Sequence, residues 1–263
     1  MALPYYRKFP IYDFWRGLFM GKALIQRKLF GHMKDQVKDW PKEKQYSHGY
    51  FYQGLEQLGI TGGKPTGFRF KQYDVDQILT GAEVLDIGSN AGFVAVYCAW
   101  RAKFVTAIEL NPHLNRVARD TAKHFKLDNM EVIDGDFSTF RSDRQYDVVL
   151  SFSNHHTIDG NLDMGFENYI KRIVSFLRPG GYMLFESHNV FAEGKGGMGD
   201  DGDMEQKVAI INKYFTIERY RMVNCFLKHG IEDLDKLFIV ARLADIPAPI
   251  DFKLPEAIKK YAY

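Results

Sequence analysis

The 263-residue sequence has few cysteines and no long hydrophobic run, and each shortage excludes a class of protein. Two cysteines, Cys98 and Cys225, are too few for a disulfide framework and are typical of a reducing compartment. The longest apolar run, residues 93–100, is far shorter than the roughly 20 residues that cross a bilayer. The first residues lack the order of basic, apolar and small residues that is typical of a signal peptide, so we expect none. We therefore expect a cytoplasmic protein without a transmembrane segment.

The net charge is also small, at +2, but the charges are unevenly distributed. Residues 1–48 contain ten Lys or Arg and four acidic residues, which leaves six positive charges in excess there. Such a basic segment favours a polyanion as partner: RNA, an anionic membrane surface or a phosphorylated substrate. The alternative interpretation of the same charges is a solvated helical face.

Apolar residues recur at helical spacing near the start of the chain, at Ile11, Phe14, Trp15, Leu18, Ile25 and Leu29. This spacing predicts one amphipathic helix with these side chains on one face, ending near Gly31. We expect residues 1–80 to form a helical extension that caps the main fold. Residues 81–245 are expected to form the main domain, and residues 246–263 a C-terminal tail.

From Glu83 onward, short apolar strands alternate with helical segments. The predicted strands are Val84–Ile87, Phe104–Glu109, Met130–Ile133, Tyr146–Ser151, Tyr182–Phe185, Thr216–Val223 and Leu237–Arg242. The alternation predicts an α/β fold with a mostly parallel seven-stranded sheet and helices on both faces. Since no convincing helix separates the last two strands, the last strand is expected to be antiparallel.

A glycine-rich turn and an acidic residue follow the first two strands of the main domain. Gly88 and Gly92 let the backbone turn sharply and approach a ligand at a helix N-terminus. Glu109 lies 23 residues after Asp86 and ends the second strand, where a carboxylate accepts hydrogen bonds from both hydroxyls of a ribose. Together they indicate an adenosine-containing cofactor. An NAD-dependent enzyme would have Gly-x-Gly-x-x-Gly, which this turn lacks.

Five segments, taken together and in order, resemble the class I S-adenosylmethionine-dependent methyltransferases, which have a Rossmann-like fold. The segments are VLDIGSNAGF (84–93), AIELNP (107–112), DGDF (134–137), YDVVLSFS (146–153) and LRPGGYMLFES (177–187). The pattern looks similar to bacterial enzymes of the small-molecule and glycan type. One departure is Asn90, which stands at the family's middle glycine, although Asn also enters tight turns. The resemblance implies S-adenosyl-L-methionine as the cofactor.

Carried onto matching positions, the resemblance implies a set of cofactor-binding residues: Tyr73, Asp86, Gly88, Asn90, Gly92, Glu109, Leu110, Asp136, Phe137 and Ser151. Glu109 would hold the ribose hydroxyls, and Leu110 would pack on the adenine. Asp136 would accept a hydrogen bond from the adenine amino group, with Phe137 beside the ring. Asp86 would orient the turn or reach the methionine ammonium through water. The three turn residues would line the methionine and ribose, and the tyrosine belongs to a segment that family members fold over the cofactor.

Histidines and an acid follow the fourth and fifth strands, next to the expected methyl-transfer point. His155 and His156 follow the fourth strand, and Glu186 and His188 follow the fifth. If the acceptor is a hydroxyl, a general base removes its proton, and histidine is suited to this near neutral pH. Glu186 would orient that histidine. A divalent metal held by His and Glu is a less favoured alternative, and no metal site is predicted.

These residues predict a methyltransferase that methylates an oxygen of a small-molecule or glycan acceptor with a histidine base. One alternative is an RNA (tRNA) modification methyltransferase that uses the basic N-terminal extension. Another is a non-catalytic cofactor-binding partner subunit, because a fold does not fix a function.

Overall fold

The computed structural model describes residues 9–42, 45, 49–155, 164–190, 202–224 and 236–261. The predicted site residue His156 lies outside them. The helices are α1 (Phe9–Phe19), α2 (Ala23–Asp39), α3 (Thr66–Tyr73), α4 (Asp76–Leu79), α5 (Phe93–Ala99), α6 (Pro112–His124), α7 (Phe166–Phe176), α8 (Met204–Ile211) and α9 (Leu254–Tyr261). The strands are β1 (Gln53–Gly54), β2 (Lys64–Pro65), β3 (Glu83–Ile87), β4 (Phe104–Glu109), β5 (Met130–Asp134), β6 (Tyr146–Phe152), β7 (Leu177–Glu186), β8 (Phe215–Val223) and β9 (Lys236–Leu243).

Seven strands form one sheet in the order β5-β4-β3-β6-β7-β9-β8. Within this sheet β9 runs antiparallel to both of its neighbours, and the pairs from β5 to β7 are parallel. The predicted α/β fold with a mostly parallel seven-stranded sheet is therefore confirmed. The chain order reverses between β3 and β6, and ligands of such sheets bind outside the carboxyl ends of the strands at this point.

Alternate residues of the central strands face two hydrophobic clusters, one on each side of the sheet. Val149 of β6 belongs to the cluster that includes residues of α7, α8 and α9. Its neighbours Val148 and Leu150 belong to the cluster that includes residues of α3, α4 and α5. Because both faces are covered, the central strands β3, β4 and β6 are largely buried.

The N-terminal region is attached to the sheet through α2, which packs along α6. Leu29 and Met33 of α2 share a buried cluster with Leu114 and Val117 of α6. At the surface of this contact, the carboxylate of Asp120 accepts hydrogen bonds from Lys28 Nζ at 2.6 Å and His32 Nε2 at 2.7 Å. The extension therefore lies against the helix that follows β4.

The predicted single helix at the start of the chain is wrong, because two helices are present. Gly21 adopts a left-handed φ of 66° between them, and Gly31, the predicted end, lies inside α2. The apolar side chains of α1 share one face, as the spacing predicts, but this face is exposed, whereas Asp13 and Gly17 are buried. No helix in the described ranges combines the length and the apolar character that crossing a membrane requires.

Candidate functional site

The turn between β3 and α5 is built from residues with left-handed backbone. Gly88, Asn90 and Gly92 have φ values of 61°, 54° and 72°. Asn is among the few residues with a side chain that enter this region readily, which explains its presence at the middle position. Gly92 has a second constraint, since a Cβ there would lie 2.4 Å from the Cβ of Ala118 in α6. The turn is therefore fixed both by its own dihedral angles and by close packing of α5 against α6.

Glu109 lies at the end of β4, next to this turn, and its carboxylate is held by two backbone amides. Oε2 accepts a hydrogen bond from the amide of Asn90 at 2.9 Å, and Oε1 accepts one from the amide of Asn111 at 2.8 Å. Each carboxylate oxygen has a further lone pair, so both can also accept from a hydroxyl. The geometry fits the predicted role of holding a ribose.

Asp86 is a buried acid with an unsatisfied oxygen. Its side chain is 2% exposed, and in the described part of the chain Oδ2 has no hydrogen-bond partner. Burial raises the pKa of this carboxyl to about 7; the guanidinium of Arg69 opposes the rise and the carboxylate of Glu109 adds to it. A buried polar atom without a partner is uncommon, and an ammonium group of a ligand would satisfy it. Asp86 therefore fits a cofactor that carries an amino-acid moiety.

A second polar group links the carboxyl ends of β6 and β3. Ser151 Oγ lies 2.9 Å from Asn154 Oδ1 and 2.9 Å from the hydroxyl of Tyr169, which in turn donates to Asn154 Oδ1 at 2.7 Å. Asn154 Nδ2 then donates to the carbonyl of Ile87 at 2.5 Å. All three side chains are buried, so the group fixes the sheet edge at the point where the strand order reverses.

Glu186, at the end of β7, is the centre of a buried charged group. Its Oε2 accepts hydrogen bonds from Arg69 Nη2 at 2.9 Å and from the hydroxyl of Tyr73, while Oε1 accepts one from Ser153 Oγ at 2.5 Å. The expected partner was a histidine. The structure instead gives the carboxylate a guanidinium from α3, which compensates its charge in a site that is 1% exposed.

Lys236 extends this group from the start of β9. Its ammonium donates to Ser153 Oγ at 3.3 Å, to the Ser187 carbonyl at 3.3 Å and to the carbonyl of His188. Tyr73, predicted to fold over the cofactor, is fully buried and stacks on Phe238 at 4.1 Å between ring centroids. Its predicted contact with the cofactor stays a prediction.

Sequence reasoning did not assign a site role to four of these polar residues: Arg69, Ser153, Asn154 and Lys236. Asn154 and Ser153 lie in the segment that was singled out for its histidines, and Arg69 lies one helical turn before Tyr73, so position in the chain gave a signal for these three. Lys236 had no such signal. Its role depends on a hydroxyl that is 83 residues away in the chain.

His155 is the predicted base whose surroundings are best described. It is 5% exposed, and its ring lies 4.9 Å from that of Phe166 and 5.1 Å from that of Tyr169. Its Nε2 lies 3.1 Å from the carbonyl of Met164. Because a carbonyl only accepts, we assign the hydrogen to Nε2, which makes Nδ1 the basic nitrogen. His188 is partly buried beyond the end of β7.

The predicted adenine side lies at the ends of β4 and β5. Leu110 follows Glu109 and is partly exposed, while Asp136 Oδ1 accepts a hydrogen bond from the amide of Ser138 at 2.7 Å. Phe137 is 2% exposed and belongs to the core cluster that contains Tyr169. The predicted adenine contacts of all three residues stay predictions.

Metal donors do not cluster in the described ranges, where no three His, Cys, Asp or Glu side chains are close enough to hold an ion. Glu186, the acid of the metal alternative, is instead hydrogen-bonded by Arg69, Tyr73 and Ser153. The described donor set therefore gives the metal alternative no support.

Residues 84–181 match a protein-family model described as a methyltransferase domain. The match covers the turn between β3 and α5 and the two acids Asp86 and Glu109. It also covers β3 and β6, between which the strand order of the sheet reverses. The resemblance of the sequence to the class I S-adenosylmethionine-dependent methyltransferases, which have a Rossmann-like fold, is therefore confirmed over these residues.

Two relatives and one solved structure are similar to parts of this chain. An uncharacterized protein of Methanocaldococcus jannaschii is 38% identical over 68 residues, which are 26% of this chain and 26% of the relative. A tRNA1(Val) (adenine(37)-N6)-methyltransferase of Pseudoalteromonas translucida is 29% identical over 119 residues, 36% of this chain and 51% of the relative. The chain thus spans about a quarter and about half of these two proteins. The fold is similar to that of the N-methyltransferase NodS from Bradyrhizobium japonicum in complex with S-adenosyl-L-homocysteine, with a TM-score of 0.58, 17% identity and coverage of 82% of this chain and 98% of NodS.

Proposed function

We propose that this protein transfers the methyl group of S-adenosylmethionine to a hydroxyl of a small-molecule or glycan acceptor. The cofactor part of the proposal is carried by the buried carboxylate oxygen of Asp86, which has no partner among the described residues and lies beside the left-handed turn and the ribose-type acid Glu109. The acceptor part is supported by the histidines that follow β6 and β7. The methyltransferase domain supports the cofactor class. When bound, the cofactor supplies an electrophilic methyl group on its sulfonium.

The chain's own residues would bind and orient the cofactor. Asp86 would accept from its ammonium, and Glu109 would accept from its ribose hydroxyls. Main-chain groups of the turn at Gly88, Asn90 and Gly92 would approach its methionine and ribose. The Ser151 group would hold the reaction edge rigid, because positioning supplies much of the rate enhancement of such a displacement.

The histidines would remove the proton of the acceptor hydroxyl. For His155 the basic nitrogen is Nδ1, since Nε2 lies against the carbonyl of Met164. His156 and His188 are the other candidates for this role. Glu186 would act as a positioning residue, because it fixes Arg69 of α3 and Ser153, just after β6, rather than a histidine.

Calorimetric titration of the purified protein with S-adenosylmethionine, and separately with NAD, tests the cofactor step. Saturable binding of the first and none of the second is expected. Turnover is then measured on hydroxyl and amine acceptors with His155→Ala, His156→Ala and His188→Ala. Loss of turnover with unchanged cofactor affinity would support a histidine base. Unchanged turnover in all three variants would contradict it, and cofactor binding without turnover on any acceptor would favour a non-catalytic partner subunit.

RNA modification is the second candidate function. It is favoured by the six excess positive charges of residues 1–48 and by the similarity to a tRNA methyltransferase. Phosphate contacts release counterions, so RNA affinity should fall steeply with salt. RNA affinity that does not change between low and high salt, or no binding at all, would exclude this candidate.

A further inference from the structure

Helix α1 exposes its apolar side chains to solvent. Each residue of an α-helix is rotated by about 100° from the one before it, so six apolar side chains of α1 cover roughly half of the helix circumference. They lie opposite the buried residues Asp13 and Gly17. The six are Ile11, Tyr12, Phe14, Trp15, Leu18 and Phe19, and each is more than half exposed. Single exposed apolar residues are ordinary, but a contiguous set of this size marks an interaction site.

The apolar set continues onto α2. Leu24 is 84% exposed and, with Phe14 of α1, lines a groove of about 960 Å³ along α2. Arg27 and Lys34 line the same groove, and both are exposed. We call the six side chains of α1 together with Leu24, Arg27 and Lys34 the α1–α2 surface.

The fold holds α1 by polar contacts, which leaves its apolar side chains unused. Asp13 Oδ1 accepts from the amide of Thr61 at 2.9 Å, and Gln26 Nε2 donates to the Asp13 carbonyl at 2.8 Å. Gly17 lies against the Gln26 side chain so closely that a Cβ would overlap the amide. The outward direction of the apolar face is therefore set by these anchors.

We propose that the α1–α2 surface binds an anionic lipid membrane. An interfacial helix combines aromatic and aliphatic side chains on one face with basic residues at its margin, and it lies in the plane of the headgroups. Arg27 and Lys34 supply the charge that complements anionic headgroups, while Phe19 and Leu24, at 87% and 84% exposure, are placed to enter the acyl boundary.

The composition of the surface favours a membrane over the other partners. RNA is bound through phosphate contacts and base stacking, and neither uses aliphatic side chains such as Ile11, Leu18 and Leu24. Interfaces between proteins are depleted of lysine, whereas Lys34 is one of the residues that line this groove. The inference concerns a different surface from the cofactor site and does not depend on the methyl acceptor.

Co-sedimentation with vesicles tests the proposal. The probes are phosphatidylcholine vesicles with and without about one quarter phosphatidylglycerol. We expect binding to the anionic vesicles, weakened but not abolished by salt, with roughly fivefold weaker partition for each charge removed in Arg27→Gln and Lys34→Gln. The double variant Phe19→Ser, Leu24→Ser should bind at least about tenfold more weakly.

The matched control is Ile246→Ser, which removes an apolar side chain that is 90% exposed and lies outside the surface. It should bind like the unmodified protein, and circular dichroism should show the same helix content in all variants. The proposal would be overturned by no binding to anionic vesicles, by equal loss in the Ile246→Ser control, or by a concentration-dependent dimer that Leu24→Ser dissociates. Binding of RNA that depends on Phe19 and Leu24 would also overturn it.

Discussion

The buried carboxyl of Asp86 predicts that cofactor binding depends on pH and is coupled to release of a proton. Its pKa is raised from 3.8 to about 7 by burial, so about half of the molecules carry a proton there at pH 7. If the cofactor ammonium meets the carboxylate, binding selects the ionised form. Affinity should then rise roughly tenfold between pH 6 and pH 8, because only the ionised fraction binds well.

The same pKa predicts how stability depends on pH in the protein without cofactor. The unfolded chain loses the Asp86 proton near pH 3.8, whereas the folded chain keeps it until about pH 7. The unfolded state thus binds fewer protons in this window, and the free energy of unfolding falls as pH rises through it. The difference of about 3 units corresponds to about 4 kcal/mol. Saturating cofactor should remove much of this fall.

Calorimetry in two buffers of different ionisation enthalpy counts the protons released on binding. Asp86→Asn is the matched variant, since it keeps the shape and removes the titration. At pH 7, the unmodified protein should release about half a proton more than the variant when the cofactor binds. The affinity of the variant should depend on pH only through the ionisation of the cofactor itself. Adenosine, which has no ammonium, is the control ligand. Identical proton release by both proteins would refute the assignment of Asp86 to the ammonium.

Three further predictions concern stability, measured as the thermal or denaturant midpoint. Gly92→Ala should lower the free energy of unfolding by about 1–3 kcal/mol, because Gly92 has a positive φ and its Cβ would contact α6. The control Gly31→Ala should be neutral or stabilising, because Gly31 lies inside α2 and nothing is near the position of its Cβ. An equal effect of both changes would contradict the packing argument. Tyr169→Phe should cost about 1–3 kcal/mol, since it leaves a buried amide oxygen with one donor fewer; no change would show that the hydroxyl is dispensable. Glu186→Gln should cost about 3–5 kcal/mol because a buried guanidinium loses its counter-charge, and a fully stable variant would refute this account of the ion pair.

The sheet could be predicted because its signals are local. The central strands β3, β4 and β6 each contain a short apolar run, and the left-handed positions of the turn require glycine or asparagine, which the sequence shows directly. The acid Glu109 could be placed because its spacing from Asp86 follows from one strand, one helix and one strand. The first residue of a strand was harder to predict where the strand begins without an apolar run. Strand β7 is an example, because its first half includes Pro179 and two glycines.

The remaining features depend on contacts between distant residues. The periodicity of α1 predicts a face but not which way it points, and the direction is set by the amide of Thr61 and the side chain of Gln26. Glu186 follows its strand as expected, but its partner Arg69 lies 117 residues earlier. No local pattern indicates such a pair, and the sequence led us to expect a histidine as the partner of Glu186.

The hydrogen-bonded group of Ser151, Asn154 and Tyr169 has a consequence for how this protein can vary. Each member satisfies another, and the amide also satisfies the carbonyl of Ile87, so a change at one position leaves a buried polar atom at a second. Substitutions at these positions are therefore epistatic. Across natural relatives, the three should be inherited as one unit or replaced together, and a chain that carries two of them without the third should be rare.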